Sequence, residues 1–549
     1  MLTLIGGLTI NSTMIDLNFH GILLDEPCCL QLSHALHTMV NLKRINLRDG
    51  SMGPKGSLMV LSALETSTQI EFMDLTNNRI GSGSIVPIQA LLKNLTSCLK
   101  TLYVGDNDLM DAGGNIIGLG LVSASLTDVD LSTNQFTGEV AEVFAAVCRG
   151  IVINGKKVSD CTIRRFILND NPNLGARGSK EIIKACIGGK FEHLELCNIG
   201  AGPGSAQLIA DAVRQKTLSW QYIDFSGNFF SRSGLNDIFW GMRRNRKIRV
   251  LKLGDNKAGP SFATEDDALL KHGIALARSI QINNIIRELD LSYNGLSSNA
   301  GNIIFDAMLD NYTIRKLVLR GNVFDDDVSP YLCDMIKHNN VIDYLDIGDN
   351  RMGFDCLFSI SEGIDVNRSI QTLHLDYNKF GNAGVITVEA FSRALMVNHT
   401  LRNLFMDGNK LGPEWIIELC KGNNIINTIS TTYSNTNYLG LVRNNTLIRV
   451  SLRDNRLDPK SGKALINIFK NSWSLIELGL SADEIGDANW TEHRNIFKNK
   501  RAIVRENEMV KDTEVSEPGH GLCDLYEWEY EYDQNRDDNR HLAENSEHV

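Results

Sequence analysis

The chain has no run of 18 apolar residues, so nothing in it reads as a helical membrane span. Its first residues, MLTLIGGLTINST, lack a basic segment followed by a long apolar core, which argues against a signal peptide. No CxxC occurs, and the eleven cysteines are scattered, apart from the neighbours Cys28 and Cys29. That usage predicts reduced thiols and a cytoplasmic setting. There is no GxxxxGK[ST], no HExxH and no His/Cys set at metal-ligand spacing, so no cofactor and no metal are expected. The twelve histidines are dispersed, and no base or nucleophile is expected beside His193 or His374. IGAGPGSA, residues 199–206, looks like a dinucleotide loop, but GSGS and GNAG recur at the same height, which makes it a repeated turn. Net charge is missing from most of the chain: the total of −11 equals the balance of 3 basic and 14 acidic residues from Glu506 onward. Residues 1–505 are therefore neutral, and the polar, acidic end is predicted to be disordered.

What is present is periodicity. Ile286, Leu289, Leu291 and Asn294 recur as Ile314, Leu317, Leu319 and Asn322, then Ile342, Leu345, Ile347 and Asn350, then Ile370, Leu373, Leu375 and Asn378. The spacing is 28 residues. Asn256, Asn228, Asn171, Asn134, Asn107 and Asn78 hold the same place upstream, and Asn409, Asn455 and Asp483 hold it downstream. Ile199, Gly50 and Ile22 stand in after Leu196, Leu47 and Phe19. Sixteen units run from Met14 to Asp483, with a degraded seventeenth suggested by Ile426, Ile429 and Ser434.

Within a unit, apolar residues two apart mark a strand with one buried face. The Asn amide both donates and accepts, so it can satisfy backbone groups where the chain leaves the strand. Leu296, Phe324, Met352, Phe380 and Leu457 then return to the core, and Ile303, Ile304 and Met308 follow at helical spacing. One unit cannot bury its apolar face alone, whereas stacked neighbours can. The pattern resembles the ribonuclease-inhibitor type of leucine-rich repeat, over about 470 of 549 residues. The resemblance implies an α/β fold: a curved solenoid, or horseshoe, with parallel inner strands and outer helices. It is expected over residues 1–500, with a tail over 501–549.

Three departures from the period are expected as insertions, near 150–161, 259–272 and 412–446, the last bending or interrupting the arc. Loops leaving a scaffold are favoured binding places, or tolerated surface additions. Seven N-x-S/T sequons occur. Asn311, Asn367, Asn398 and Asn444 share one register, three residues before a strand's first apolar position. That register predicts helix ends in the left-handed conformation rather than glycan sites.

The residues alternating with the buried leucines face away from the core. Across the sixteen units, the second, fourth, sixth and seventh residues after each first apolar position hold 18 acidic and 8 basic side chains. An acidic strand face is therefore predicted, although Asp between the two Leu positions is common in this repeat type. Candidate partner-binding acids are Asp74, Asp130, Glu195, Asp224, Asp290, Asp346 and Asp376, with Tyr293, Tyr344, Tyr377 and Phe405 as aromatic anchors. Such a face suits a basic protein partner and disfavours nucleic acid. In the tail, Tyr526, Trp528, Tyr530 and Tyr532 alternate with acids in LYEWEYEYD, a candidate docking peptide.

The expected function is a non-catalytic protein-binding scaffold. Two alternatives follow from relatives of this repeat type. One is a GTPase activator of the Ran type, because NQFTGEV, residues 134–140, is similar to a loop of that family, with Glu139 where the family carries Arg. The other is an axonemal or cytoskeletal scaffold subunit. The fold alone selects neither.

Overall fold

A computed structural model describes residues 2–94, 97–121, 125–150, 152–153, 156–157, 161–259, 272–382, 384–420, 441 and 444–512. They divide into one unit spanning Met1–Asn489 and a second beginning at Trp490. In the first, sixteen three-residue strands form one continuous parallel sheet in strict chain order, from Asp16–Asn18 to Glu477–Gly479. Every strand lies where the period places it, and each is followed by a helical segment that returns the chain. Residues 1–489 are thus a curved leucine-rich-repeat solenoid.

The core follows from the repeat. Leu289, Leu291 and Leu296 are buried in one rung, and Leu317, Leu319 and Phe324 in the next. Three-residue strands are short for a sheet, and asparagine extends the pairing beyond them. Asn78, Asn107 and Asn134 are fully buried. Each backbone amide donates to the side-chain oxygen of the next rung's Asn, at 3.0, 3.1 and 3.1 Å for Asn78, Asn107 and Asn134. Each amide nitrogen donates back to the previous rung, as Asn78 Nδ2 does to Leu47 O at 2.8 Å and Asn107 Nδ2 to Leu75 O at 2.9 Å. Asn409 and Asn455 continue the stack across the third insertion at 3.0 Å.

A second asparagine stack lies at the helix ends. Asn245, Asn283, Asn311, Asn339, Asn367, Asn398 and Asn444 are all buried. Asn367 shows the pattern: Nδ2 donates to Ile336 O at 2.8 Å and Asn339 O at 3.1 Å, and Oδ1 accepts from the Ser369 and Ile370 amides at 2.9 and 2.8 Å. The helix-end expectation is right about place and wrong about conformation. Asn367 has φ −64° and ψ 140°, and Asn398 −78° and 127°, both extended. The side chain, not a left-handed backbone, ties one rung to the last. Left-handed residues sit instead on either side of the first stack: Asp49, Asp106, Asp170, Tyr293, Asp349 and Tyr377 just before it, and Arg79, Gln135 and Lys257 just after.

The insertions leave the sheet intact. The first contains a two-stranded antiparallel hairpin, Val152–Ile153 with Lys156–Lys157. Residues 260–271 of the second, 421–440 of the third and the proposed seventeenth unit lie outside the described residues. Asn403–Phe405 nevertheless pairs directly with Arg449–Ser451, so no strand intervenes and the sheet is not interrupted there. The helix Asp487–Asp512 runs past the expected boundary at residue 500. Tyr526, Trp528, Tyr530 and Tyr532 also lie outside the described residues. Among the described residues no helix is long and apolar enough to cross a membrane, and no metal-binding cluster occurs.

Candidate functional site

In-register pairing turns the outward positions of the strands into columns. The first strand residues align as Glu288, Lys316, Tyr344 and Thr372, and the third as Asp290, Val318, Asp346 and His374. Adjacent members then neutralise or stack on one another. Arg44 bridges to Asp16 at 3.3 Å and lies 4.3 Å from the Phe72 ring centre. Arg165 reaches Glu195 at 3.4 Å and the Tyr103 hydroxyl at 3.1 Å. Lys316 bridges to Glu288 at 3.1 Å and sits 5.0 Å from the Tyr344 ring centre. Burial pushes the Tyr222 phenol up to about 12, against the opposing pull of Lys252.

The predicted acids are all on this face, but most are already engaged. Asp74, Asp224, Asp346 and Asp376 are nearly buried. An Asp at the strand's last residue folds its carboxylate onto the amide two residues on, closing an Asx-type turn. Asp130 accepts from Ser132 N at 2.9 Å and Oγ at 2.6 Å, and Asp290 from Ser292 N at 2.8 Å and Oγ at 2.6 Å. Asp74, Asp224 and Asp346 cap Thr76, Ser226 and Gly348 in the same way. Burial raises the Asp130 and Asp290 carboxyls above the usual range, in part opposed by those serines.

Near the centre the network closes on Arg320. Its guanidinium bonds Asp346 at 3.0 Å and Asp376 at 2.6 Å. Burial would lower its pKa, but the two carboxylates outweigh that and hold it well above its ordinary value. His374 Nδ1 lies 3.2 Å from Asp376, and its ring stacks on Phe405 at 4.2 Å. Asp407 is buried beside Asp376, and that burial, reinforced by the neighbouring charge, lifts its carboxyl to about 7.

The expectation that His193 and His374 lack a basic partner is corrected: His193 pairs with Glu195, and His374 with Asp376. Partner and histidine lie two apart in sequence, on one strand for His193 and just past the strand end for His374, a relation the alternation contained. A dyad alone does not make a nucleophile. Burial first, then Asp224, drives the nearby Cys197 thiol far above its ordinary value, leaving it inert. At the loop compared with GTPase activators, Thr137 bonds Asp111 and caps the turn Gly138–Val140, and Glu139 is exposed.

Exposed contact groups stand in the turn column. Asp106, Asp170 and Asp349 are exposed there. Most of these left-handed positions hold Asp, Asn or Gly, the residues that tolerate positive φ. Tyr293 and Tyr377 do not fit that rule, with φ 51° and 54° and exposures of 42% and 40%. A Cβ added at Gly321 or Gly408 in the following rung would strike their rings. Burial raises the Tyr293 phenol to about 12, and the negative charge of Asp349 pushes the same way. The exposed turn acids were missed as site residues because the strand acids drew attention. The signal was a small or Asx residue directly before most of the stack asparagines.

A sixteen-strand parallel sheet with two stacked asparagine columns defines a leucine-rich-repeat protein, and the family model described as Leucine Rich repeat matches residues 366–388. The ribonuclease inhibitor of Sus scrofa is 25% identical over 366 residues, 66% of this chain and 70% of that protein. That of Mus musculus is 22% identical over 401 residues, 66% and 83% of the two chains. NACHT, LRR and PYD domains-containing protein 5 of Homo sapiens is 23% identical over 326 residues, but only 26% of its length is covered. In sequence and in fold the chain is similar to the ribonuclease-inhibitor-like leucine-rich-repeat proteins. Its general capacity is that of a protein-interaction scaffold.

Proposed function

We propose that the solenoid is a non-catalytic scaffold that captures a basic protein segment on its strand face. The carrying observation is the pair Tyr293 and Tyr377. A left-handed tyrosine costs roughly 1–2 kcal/mol against its usual backbone. The fold accepts that cost twice and clears space at Gly321 and Gly408, while the rings remain 42% and 40% exposed. Rigid, half-exposed aromatics beside a carboxylate are what a cationic side chain and its neighbours bind well. Asp106, Asp170 and Asp349 supply steering charge at the edge, and Asp74, Asp130, Glu195, Asp224, Asp290, Asp346 and Asp376 set the sign of the field behind it. Tyr344 extends the aromatic contact along the strands, whereas the expected anchor Phe405 is buried against His374.

Affinity purification of the tagged chain, with mass spectrometry of what co-purifies, tests the reading. Tyr293→Ala/Tyr377→Ala and Asp349→Lys are expected to lose the same captured protein while retaining the wild-type melting curve. Reversal of Asp290 or Asp346 is less diagnostic, because each also closes a turn. Capture indifferent to all these changes would remove the strand face from consideration. Accelerated GTP hydrolysis by any member of a small-GTPase panel would overturn the non-catalytic reading.

A further inference from the structure

A second surface lies where helices end and strands begin. Arg249, Arg287 and Arg315 immediately precede three consecutive strands. They share one hydrogen-bonded register: the Arg287 amide donates to Arg249 O at 2.7 Å, and the Arg315 amide to Arg287 O at 2.8 Å. Behind them, the helix Ser231–Met242 ends in Arg243, Arg244 and Arg246, and Arg278 projects from the neighbouring helix His272–Ile282. Arg244, Arg246, Arg249 and Arg278 are exposed. At the borders, Arg214 pairs with Asp211 at 3.0 Å and Arg315 with Asp343 at 3.5 Å. Among the described residues no carboxylate pairs with Arg244, Arg246, Arg249, Arg278 or Arg287. Arg246 and Arg287 reach only backbone carbonyls, at 3.5 and 3.3 Å. Trp240 is 38% exposed, with the Arg243 guanidinium 3.4 Å from its ring centre. Arg243 feels the crowding: slight burial, then Arg244, Arg278 and Arg214, hold its pKa below the ordinary value.

Like charges gathered without counter-charges cost stability, so this rim is built for something other than folding. The shape of the strip narrows the ligand. One residue inward from Arg287 is Glu288, followed by Asp290, and Asp211 and Asp343 bound the ends. A nucleic acid or a lipid surface, with phosphates spread over a broad front, would meet those carboxylates. A single extended chain fits between them, its acids in the guanidinium forks and an aromatic or aliphatic residue against Trp240. We propose that this arginine rim docks an acidic protein segment, at a surface separate from the strand face and independent of what binds there.

Fluorescence anisotropy of a labelled peptide carrying eight glutamates, titrated with the full chain at low salt, is the test. Saturable binding is expected, weakened at least about tenfold in Arg244→Glu/Arg246→Glu/Arg249→Glu and in the matching Gln triple. Asp349→Lys is expected to bind the peptide as wild type does, which separates this surface from the proposed partner face. The inference is overturned if the peptide does not bind or if both triples bind it unchanged. It is also overturned if a mixed-sequence RNA, or vesicles containing phosphatidylserine, bind the same arginines more tightly than the peptide does.

Discussion

Truncating one asparagine of the helix-end stack measures what that stack contributes. Asn367→Ala removes two donated bonds, to Ile336 O and Asn339 O, and two accepted bonds, from the Ser369 and Ile370 amides. Asn367 is 1% exposed, so water cannot easily replace them. At about 1 kcal/mol net per bond, the expected loss is about 4 kcal/mol, and the orphaned groups push it upward. Ser369→Ala is the control. It destroys the same sequon but spares the four bonds counted above, losing only those of the hydroxyl, among them one to Asn339 O and one from Asn367 Nδ2, both at 3.3 Å, and should cost about 1 kcal/mol or less. Urea unfolding gives the midpoint and slope for both variants. Because each rung touches only its neighbours, hydrogen exchange should show protection falling first near Ile336, Ile342 and Ile370 and spreading outward. A loss below about 1 kcal/mol for Asn367→Ala, or equal losses for the two variants, would refute the claim that the side chain ties the rungs together.

The remaining predictions concern the strand face and the helix layer. Arg320→Ala leaves Asp346 and Asp376 buried without their cation and should cost about 3–5 kcal/mol at neutral pH, with part of the loss recovered in acid as the carboxylates protonate; melting at pH 5 and pH 8 reads this. Asp407 behaves oppositely. Its folded pKa of about 7 lies above the unfolded value, so the folded state holds the proton longer and stability declines as pH rises from about 4 through 7. Asp407→Asn should therefore raise the melting temperature more at pH 8 than at pH 5; a pH-independent gain would contradict the assigned cause. Gly241→Ala places a methyl 2.6 Å from Val213 Cγ2 and 2.8 Å from Ala210 O, and should cost about 1–3 kcal/mol in urea unfolding.

The solenoid was legible because its strands are defined by period alone. Leu289, Leu317, Leu345 and Leu373 mark four consecutive strands, and in-register pairing follows from repetition. The chemistry of the face was less legible. Alternation places Asp290 and Asp346 outward but says nothing about where their carboxylates bend, and both turned back onto backbone amides. The pairing of Arg320 with Asp376, 56 residues away, depends on a guanidinium crossing two rungs. Asn367 was read by the commonest backbone role of a helix-end asparagine, whereas its amide found partners in the preceding rung. The arginine rim was hidden because its members come from helix ends and loops, and a charge sum over the strand face never counted them.

Both asparagine columns act like the teeth of a rack: each tooth braces its own turn and engages the rung a full turn away. Chain can therefore be gained or lost as a whole turn, or between teeth that still meet. In sequence, the hairpin after Arg149, the segment 260–271 and the segment 421–440 each fall between stack asparagines that bond one another. Removing Asn322 through Asp349 as one block should therefore leave a shorter rack that still meshes.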